Sequence, residues 1–183
     1  IRDKDAVFAA MNSFKPTSVL HFAGLKEVSQ SFLNPTLYYD VNVHGSINVL
    51  NAMLHVGCNE IVFSSSASVY GDALEEPMPE THPFNSKNFY GSTKIAGEAM
   101  LNAFHYRYNL NYVGLRYMNV YGPRQDYSGA YVAVIMKMLD SIDKNEKVVI
   151  IDDLIATGGT AEAAAKIIEM SGGIVSNLSL IHI

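Results

Sequence analysis

Three short, continuous apolar runs punctuate the first 120 residues of the chain. They are TSVLHFAG (17–24), NEIVFSSS (59–66) and NYVGLRYMNV (111–120). Runs of β-branched and aromatic residues without polar alternation are typical of strands that are covered on both faces. The pattern therefore predicts three buried strands.

The segments between these runs have helical periodicity. The clearest is TLYYDVNVHGSINVLNAMLHVG (36–57), whose apolar stripe repeats at three and four residues and stops at Gly57, a helix C-terminal signal. Residues 3–14 and 89–109 predict two further helices. Strands that alternate with helices of this length predict an α/β fold, with a parallel sheet, helices on both faces and right-handed crossovers.

Composition allows one ordinary domain and argues against several classes of partner. The chain has 183 residues, 49% of them hydrophobic, and 13 basic against 18 acidic side chains give a net charge of -5. No cluster of Lys and Arg forms the basic stripe of a nucleic-acid-binding protein, so we expect no nucleic-acid partner. No run approaches the roughly 20 apolar residues of a membrane helix, so we expect no membrane partner either.

Cysteine usage bears on compartment and metal binding. Cys58 is the single cysteine, which excludes an internal disulfide framework and a cysteine-ligated zinc site, and we expect it to be a small buried hydrophobe. No metal site is predicted, and His21 and His82 are expected to be structural because they lack partners at ligand spacing. The start IRDKDAV carries charges where a signal peptide has its apolar centre. These features predict a cytoplasmic protein.

A candidate for proton transfer lies in the third predicted helix. Tyr90 and Lys94 are four residues apart and therefore share one helix face. An ammonium beside a phenol favours the phenolate, the form in which a tyrosine acts as a base near neutral pH. A serine at the end of a neighbouring strand could share the proton. By itself a Tyr/Lys pair at this spacing occurs by chance on many helices, which favours a structural interpretation.

Four further motifs accompany this pair. HFAGLK (21–26), YYDVNVHGSINVL (38–50), FSSSASVYG (63–71), FYGSTK (89–94) and LRYMNVYGPRQ (115–125) follow in order. Together they resemble the extended short-chain dehydrogenase/reductase family, and most closely its nucleotide-sugar epimerases of the UDP-glucose 4-epimerase group. The resemblance covers residues 1–146 and implies a truncated Rossmann-like sheet, NAD as cofactor, a UDP-glucose-like substrate and a homodimer.

The resemblance also implies residue roles. Tyr90 would be the catalytic base, Lys94 its charged partner and a donor to the cofactor ribose, and Ser66 the hydroxyl that shares the proton. In such enzymes a hydride leaves C4 of the sugar for NAD, and the resulting ketosugar rotates within the site. The hydride then returns to the other face of the sugar. The remaining implied contacts are to NAD from Phe22, Ala23, Gly24, Leu25, Lys26, Asn42 and Met118, and to the sugar nucleotide from Ser66, Ser68 and Asn119.

One family feature is absent from the sequence. The family begins with a strand and a glycine-rich turn that receives the cofactor pyrophosphate, whereas Ile1-Arg2-Asp3 resembles the end of the third strand. The predicted strand 17–24 then has an unpaired edge, which is an aggregation hazard. We therefore expect negligible epimerase turnover from the chain alone.

A second motif lies near the end of the chain. VVIIDDLIATGGTA (148–161) reads as a strand, an acid pair, a glycine turn and the start of a helix, and residues 147–180 resemble adenine phosphoribosyltransferase, a type I phosphoribosyltransferase. A generic strand and turn explains VVII and GG but not the paired acids. The implied phosphoribosyl-pyrophosphate (PRPP) contacts are Asp152 and Asp153 to ribose, and Ala156, Thr157, Gly158, Gly159 and Thr160 to phosphate.

These motifs predict two segments and leave three hypotheses open. Residues 1–146 are an incomplete NAD-binding epimerase/dehydratase core and residues 147–183 a phosphoribosyltransferase-like fragment, whose strand could extend the sheet in parallel. The chain is then an impaired epimerase, a PRPP-binding fragment, or a nonenzymatic chimeric α/β fragment. Within the family, the dehydratases and reductases share Tyr90 and Lys94, but Ala67-Ser68 replaces the acidic pair that is typical of dehydratases.

Overall fold

The computed structural model describes residues 1–120 and 122, together with 140, 141, 143, 144, 166, 169 and 170. The chain divides into two compact units, Ile1–Met118 and Asn119–Ile183. The predicted domain boundary at 146 and the strand expected at 148–151 lie outside the described residues and stay predictions.

The first unit follows the predicted alternation of strands and helices. Its strands are β1 Val19–His21, β2 Glu60–Ser66 and β3 Asn111–Tyr117. Its helices are α1 Lys4–Phe14, α2 Val28–Leu33, α3 Pro35–Tyr39, α4 Gly45–Val56 and α5 Phe89–Tyr108, with a π-helical turn at Asp40–His44 and a 3₁₀ turn at Ala67–Val69.

The helix predicted at 36–57 is more irregular than its sequence pattern indicates. A π turn separates α3 from α4 and buries Asn42. Such turns are rare and often mark functional sites. The predicted stop is confirmed, because Gly57 adopts a left-handed φ of 73° directly after α4.

All three strands are parallel, in the order β1-β2-β3. Val19, Ile61 and Tyr112 are in register across the sheet. Within the described part of the chain β1 pairs with β2 alone. The predicted parallel α/β sheet is confirmed.

The core lies on one face of this sheet. It is a cluster of side chains from α4, α5, β2 and the turns that flank β2 and β3, namely Val49, Leu50, Met53, Cys58, Ile61, Phe63, Leu101 and Leu110. Cys58 is 3% exposed, which confirms that it packs as a small hydrophobe. On the opposite face Leu20 and Val113 are 66% and 54% exposed. Within residues 1–118, helices therefore cover one face of the sheet, whereas the sequence predicts helices on both faces.

A charged pair ties β3 to α5. The Arg116 guanidinium donates from Nε and Nη2 to the Glu98 carboxylate at 3.0 and 2.8 Å, and from Nη1 to the Glu80 carbonyl at 2.7 Å. Hydrogen bonding to Glu98 raises the pKa of Arg116, so the side chain stays charged. The Ser65 hydroxyl of β2 also donates to Glu98. One carboxylate thus joins a helix to two strands, and Arg116 extends the link to the loop after the 3₁₀ turn.

None of the helices among the described residues is long and apolar enough to span a membrane.

Close packing of α5 on β2 generates a stability prediction. A Cβ at Gly97 would lie 2.5 Å from Cζ of Phe63, whereas a Cβ at Gly114 would have its nearest neighbour at 4.0 Å. We expect Gly97→Ala to lower the free energy of unfolding by about 1–2 kcal/mol despite its better helix propensity, since overpacking a core is costly. Urea unfolding followed by circular dichroism measures this change. Gly114→Ala is the matched control and should be near neutral; an unchanged midpoint for Gly97→Ala would contradict the close contact.

Candidate active site

The carboxyl ends of the three parallel strands lie at one edge of the sheet. There β1 leads into residues 22–26, β2 into the 3₁₀ turn, and β3 ends at Tyr117. The Phe22 and Tyr117 rings lie with centroids 6.4 Å apart, so the ends of β1 and β3 are close across this edge. Open α/β sheets bind ligands at this edge.

Helix α5 begins directly against the turn that follows β2. Asn88 is its N-cap, and its Oδ1 accepts a hydrogen bond of 2.7 Å from the Gly91 amide. Asn88 Nδ2 also donates to Ser68 Oγ at 3.4 Å. A Cβ at Gly91 would lie 2.6 Å from the Ser68 carbonyl oxygen, so only glycine permits this approach. The contact places Tyr90, at the start of α5, beside the segment that carries Ser66 and Ser68.

The ammonium of Lys94 is buried behind Tyr90. Lys94 is 6% exposed, and its Nζ donates to the Ser64 carbonyl at 2.7 Å and lies 5.8 Å from the centroid of the Tyr90 ring. Burial lowers the pKa of Lys94 to about 8. The side chain therefore keeps most of its charge near neutral pH, but at a cost to the fold.

Ser66, the last residue of β2, and Ser68, in the 3₁₀ turn, are partly buried. Ser66 Oγ accepts a hydrogen bond of 3.2 Å from the Ser68 amide and caps the 3₁₀ turn. This bond leaves the Ser66 hydroxyl proton available to a ligand. Met118 and Asn119, which follow β3, are exposed.

The predicted cofactor loop, residues 22–26, is anchored by Asn42. Asn42 Oδ1 accepts from the Leu25 amide at 2.8 Å, and Nδ2 donates to the Leu25 carbonyl at 2.9 Å. A Cβ at Gly24 would lie 3.0 Å from Asn42 Oδ1 and 3.8 Å from Lys94 Nζ, so this loop runs beside the buried lysine. Phe22, Ala23 and Lys26 are exposed.

His21 and His82, which the sequence predicts to be structural, are buried and hydrogen-bonded. His21 Nε2 lies 2.8 Å from Ser46 Oγ, and burial, with smaller effects of Lys94 and the N-terminal ammonium, lowers the pKa of His21 to about 4. His82 accepts a hydrogen bond from the Leu74 amide at 3.1 Å and steadies the loop that follows the 3₁₀ turn. The structural interpretation of both is confirmed.

The structure thus brings together Tyr90, Lys94, Ser66, Ser68, Asn42 and the loop 22–26. The predicted PRPP contacts, Asp152, Asp153, Ala156, Thr157, Gly158, Gly159 and Thr160, lie outside the described residues. Among the residues that are described, no group of three or more His, Cys, Asp or Glu side chains could hold a metal ion.

Comparison with known proteins agrees with this geometry. The sequence profile of the NAD dependent epimerase/dehydratase family matches residues 1–162. The chain belongs to this family. The match continues past the predicted boundary at 146 and includes the stretch 148–161, which was set apart for its resemblance to a phosphoribosyltransferase loop.

Two curated relatives illustrate the likeness. UDP-glucose 4-epimerase 4 of Oryza sativa subsp. japonica is 43% identical over 123 residues, which are 67% of this chain and 33% of the rice protein. A putative UDP-glucose 4-epimerase of Methanocaldococcus jannaschii is 38% identical over 154 residues, which are 84% of this chain and 50% of the archaeal protein. The chain therefore spans half or less of the length of these relatives.

Solved structures show the same fold. The UDP-glucose 4-epimerase of Thermus thermophilus in complex with NAD is 37% identical with a TM-score of 0.73, over 80% of this chain and 48% of that one. The UDP-glucose 4-epimerase of Thermotoga maritima with UDP-glucose is 31% identical with a TM-score of 0.77, over 83% of this chain and 50% of that one. The Rossmann-like character of the sheet is thereby confirmed.

Sequence reasoning missed several residues that build the site. Asn88 stands directly before the helical run and carries an N-cap signature that could have been found. Thr93 and the carbonyl of Ser64 have no such signal, because their partners come from elements that are distant in sequence. The Glu98–Arg116 pair is likewise joined only in three dimensions.

The buried charge of Lys94 generates a pH-dependent stability prediction. Its pKa in the folded chain lies below the ordinary value of 10.5, so the unfolded chain binds the proton more tightly. The resulting cost is fully present below pH 8 or so and disappears as the pH rises through about 10.5. We expect Lys94→Met to raise the free energy of unfolding by about 1–3 kcal/mol near pH 7, with the gain shrinking towards pH 10.

Urea unfolding near pH 7 and near pH 10 measures the difference in the free energy of unfolding between Lys94→Met and the unmodified chain. Lys4→Met, at the exposed start of α1, is the control and should change little at either pH. A Lys94→Met chain that is less stable near pH 7, or whose difference does not depend on pH, would show that the buried ammonium carries no net cost.

Proposed function

We propose that the chain carries the catalytic part of an NAD-dependent nucleotide-sugar 4-epimerase, an isomerase of the UDP-glucose 4-epimerase type. One observation carries the proposal. Lys94 Nζ is buried beside the Tyr90 ring and the Gly24 segment, at the carboxyl edge of a parallel sheet. Relatives that resemble the chain bear the name UDP-glucose 4-epimerase, and two related structures contain NAD or UDP-glucose.

The residues present fit an NAD cofactor. The absence of a Cβ at Gly24 leaves open the space next to Lys94 Nζ, where ribose hydroxyls would be held. Phe22 and Met118 are 53% and 69% exposed at the ends of β1 and β3, and such apolar surface suits a nicotinamide ring. Ala23, Leu25 and Lys26 would line the cofactor with Phe22 and Gly24, while Asn42 holds their backbone.

The chain's own residues would manage the proton of the sugar 4-hydroxyl. When bound, NAD supplies a hydride acceptor that takes the hydride from C4 and returns it to the other face. Tyr90 would accept the hydroxyl proton as the C4–H bond breaks and give it back when that bond forms again. Lys94 would supply positive charge beside the ring, and the Ser66 hydroxyl, which keeps its proton, would donate a hydrogen bond to the sugar oxygen.

Neighbouring groups would orient the sugar nucleotide. Ser68 is fixed by Asn88 next to the start of α5, and Asn119 follows the nicotinamide position of Met118. Ala67-Ser68, in place of an acidic pair after Ser66, favours epimerisation over dehydration. We also propose a cytoplasmic location, supported by a single buried cysteine, and a homodimer of the kind that the resemblance implies.

A second candidate function is PRPP binding by residues 148–161. It is supported by the paired acids followed by a glycine turn in the sequence. Saturable binding of PRPP with magnesium, lost in Asp152→Asn, would favour this alternative or a chimeric protein.

Cofactor binding tests the NAD part of the proposal. We expect saturable binding of NAD by the full chain in isothermal titration calorimetry. Lys94→Met should weaken it by about tenfold or more, since a charge-assisted hydrogen bond to the cofactor is lost. Lys4→Met is the matched control and should bind as the unmodified chain does. Absence of NAD binding, or equal binding by Lys94→Met, would reject this part of the proposal.

Single-turnover hydride transfer tests the reaction itself. With saturating NAD and stoichiometric UDP-glucose, we expect NADH to form, detected by its absorbance, even if steady-state turnover is negligible. Tyr90→Phe should slow this step by about 10²–10⁴-fold without weakening NAD binding, because the proton acceptor is removed. Tyr108→Phe, at the other end of α5, is the control. NADH formation at an unchanged rate in Tyr90→Phe would exclude Tyr90 as the base.

A further inference from the structure

The side-chain amide of Asn42 makes three hydrogen bonds in the interior. Asn42 is 4% exposed, and its Oδ1 and Nδ2 bond the Leu25 amide and carbonyl at 2.8 and 2.9 Å. The remaining N–H donates to Thr93 Oγ1 at 3.0 Å. Asn42 therefore contacts Leu25 as a neighbouring strand would, and its hold on that loop depends on which way the amide points.

Leu25 favours one direction of the amide, and Thr93 reinforces it. The Thr93 side chain is fully buried, and Oγ1 donates its one proton to the Tyr90 carbonyl at 2.7 Å. The oxygen is thus left as an acceptor that only the NH₂ side of Asn42 can satisfy. A reversed amide would place its carbonyl oxygen against the Thr93 oxygen and its NH₂ against the Leu25 amide, which would leave buried polar groups unpaired.

We propose that Thr93 is a positioning residue for the candidate site. Its hydroxyl joins the helix of Tyr90 and Lys94 to the loop 22–26, with Asn42 as the intermediary. The inference rests on the proposed function, in which this loop receives NAD. The loop lies close to both Asn42 and Lys94, since a Cβ at Gly24 would lie 3.0 Å from Asn42 Oδ1 and 3.8 Å from Lys94 Nζ. Thr93 contacts neither the substrate nor the cofactor in this scheme and acts through Asn42.

The next residue provides a matched comparison. Ser92 Oγ donates to the Asn88 carbonyl at 3.0 Å, the same kind of bond to the preceding turn that Thr93 makes. No hydrogen bond joins Ser92 to Asn42 among the described residues. Ser92→Ala therefore removes a helix hydroxyl without touching the link to the loop.

Amide hydrogen exchange on the NAD-free full chain tests the proposal. Thr93→Val keeps the shape of the side chain but removes its hydroxyl, and we expect exchange of the Leu25 amide to accelerate about tenfold or more. Thr93→Ser retains the hydroxyl and should restore protection, and Ser92→Ala should leave it unchanged. Exchange of the Ile61 and Phe63 amides in β2 is the reference for global stability.

Two outcomes would overturn the inference. One is a Leu25 amide that is equally protected in Thr93→Val, and the other is a loss of protection that is the same at Leu25, Ile61 and Phe63, which would indicate general destabilisation. NAD titration of the same variants adds a functional measurement, and we expect Thr93→Val to bind about tenfold more weakly than Ser92→Ala. If the unmodified chain fails to bind NAD, the proposed function fails, while the exchange data still decide the role of Thr93.

Discussion

The close approach of α5 to β2 is the constraint on which the candidate site depends. Lys94 reaches the Ser64 carbonyl, at 2.7 Å, only because the helix axis lies near the strand. Glycines make this approach possible, since a side chain at Gly91 would meet the Ser68 carbonyl and one at Gly97 would meet the Phe63 ring. The Glu98 carboxylate, bonded by Ser65 and Arg116, fastens the same helix to both strands. Packing in the middle of α5 therefore fixes the position of the candidate residues at its start.

A second set of bonds joins this helix to the loop after β1. Asn42, in the π turn, holds the Leu25 backbone on one side and Thr93 on the other. Buried amides with satisfied hydrogen bonds are rigid, and a rigid loop suits the proposed cofactor site. The π turn thus carries the asparagine that connects these two elements.

Family membership rests on a long match, yet the chain corresponds to half or less of its relatives. The described residues contain the proposed proton-transfer residues and the loop beside Lys94. The stretch 148–161 belongs to the profile match and also resembles the PRPP loop of another enzyme class. A strand, a glycine turn and a helix start recur in unrelated folds, but they do not by themselves account for the paired acids Asp152 and Asp153.

The sequence by itself determined the order of strands and helices, the parallel sheet and the candidate residues Tyr90, Lys94 and Ser66. Continuous apolar runs, helical stripes and a tyrosine and lysine four residues apart are local patterns, which can be recognised from the sequence without a structure. Only the tertiary structure decided that Lys94 is buried on the Ser64 carbonyl and that Thr93 and Asn42 connect the helix to the loop. Those contacts join residues 17 to 51 positions apart, and their geometry is set by how the helices pack on the sheet rather than by any spacing along the chain.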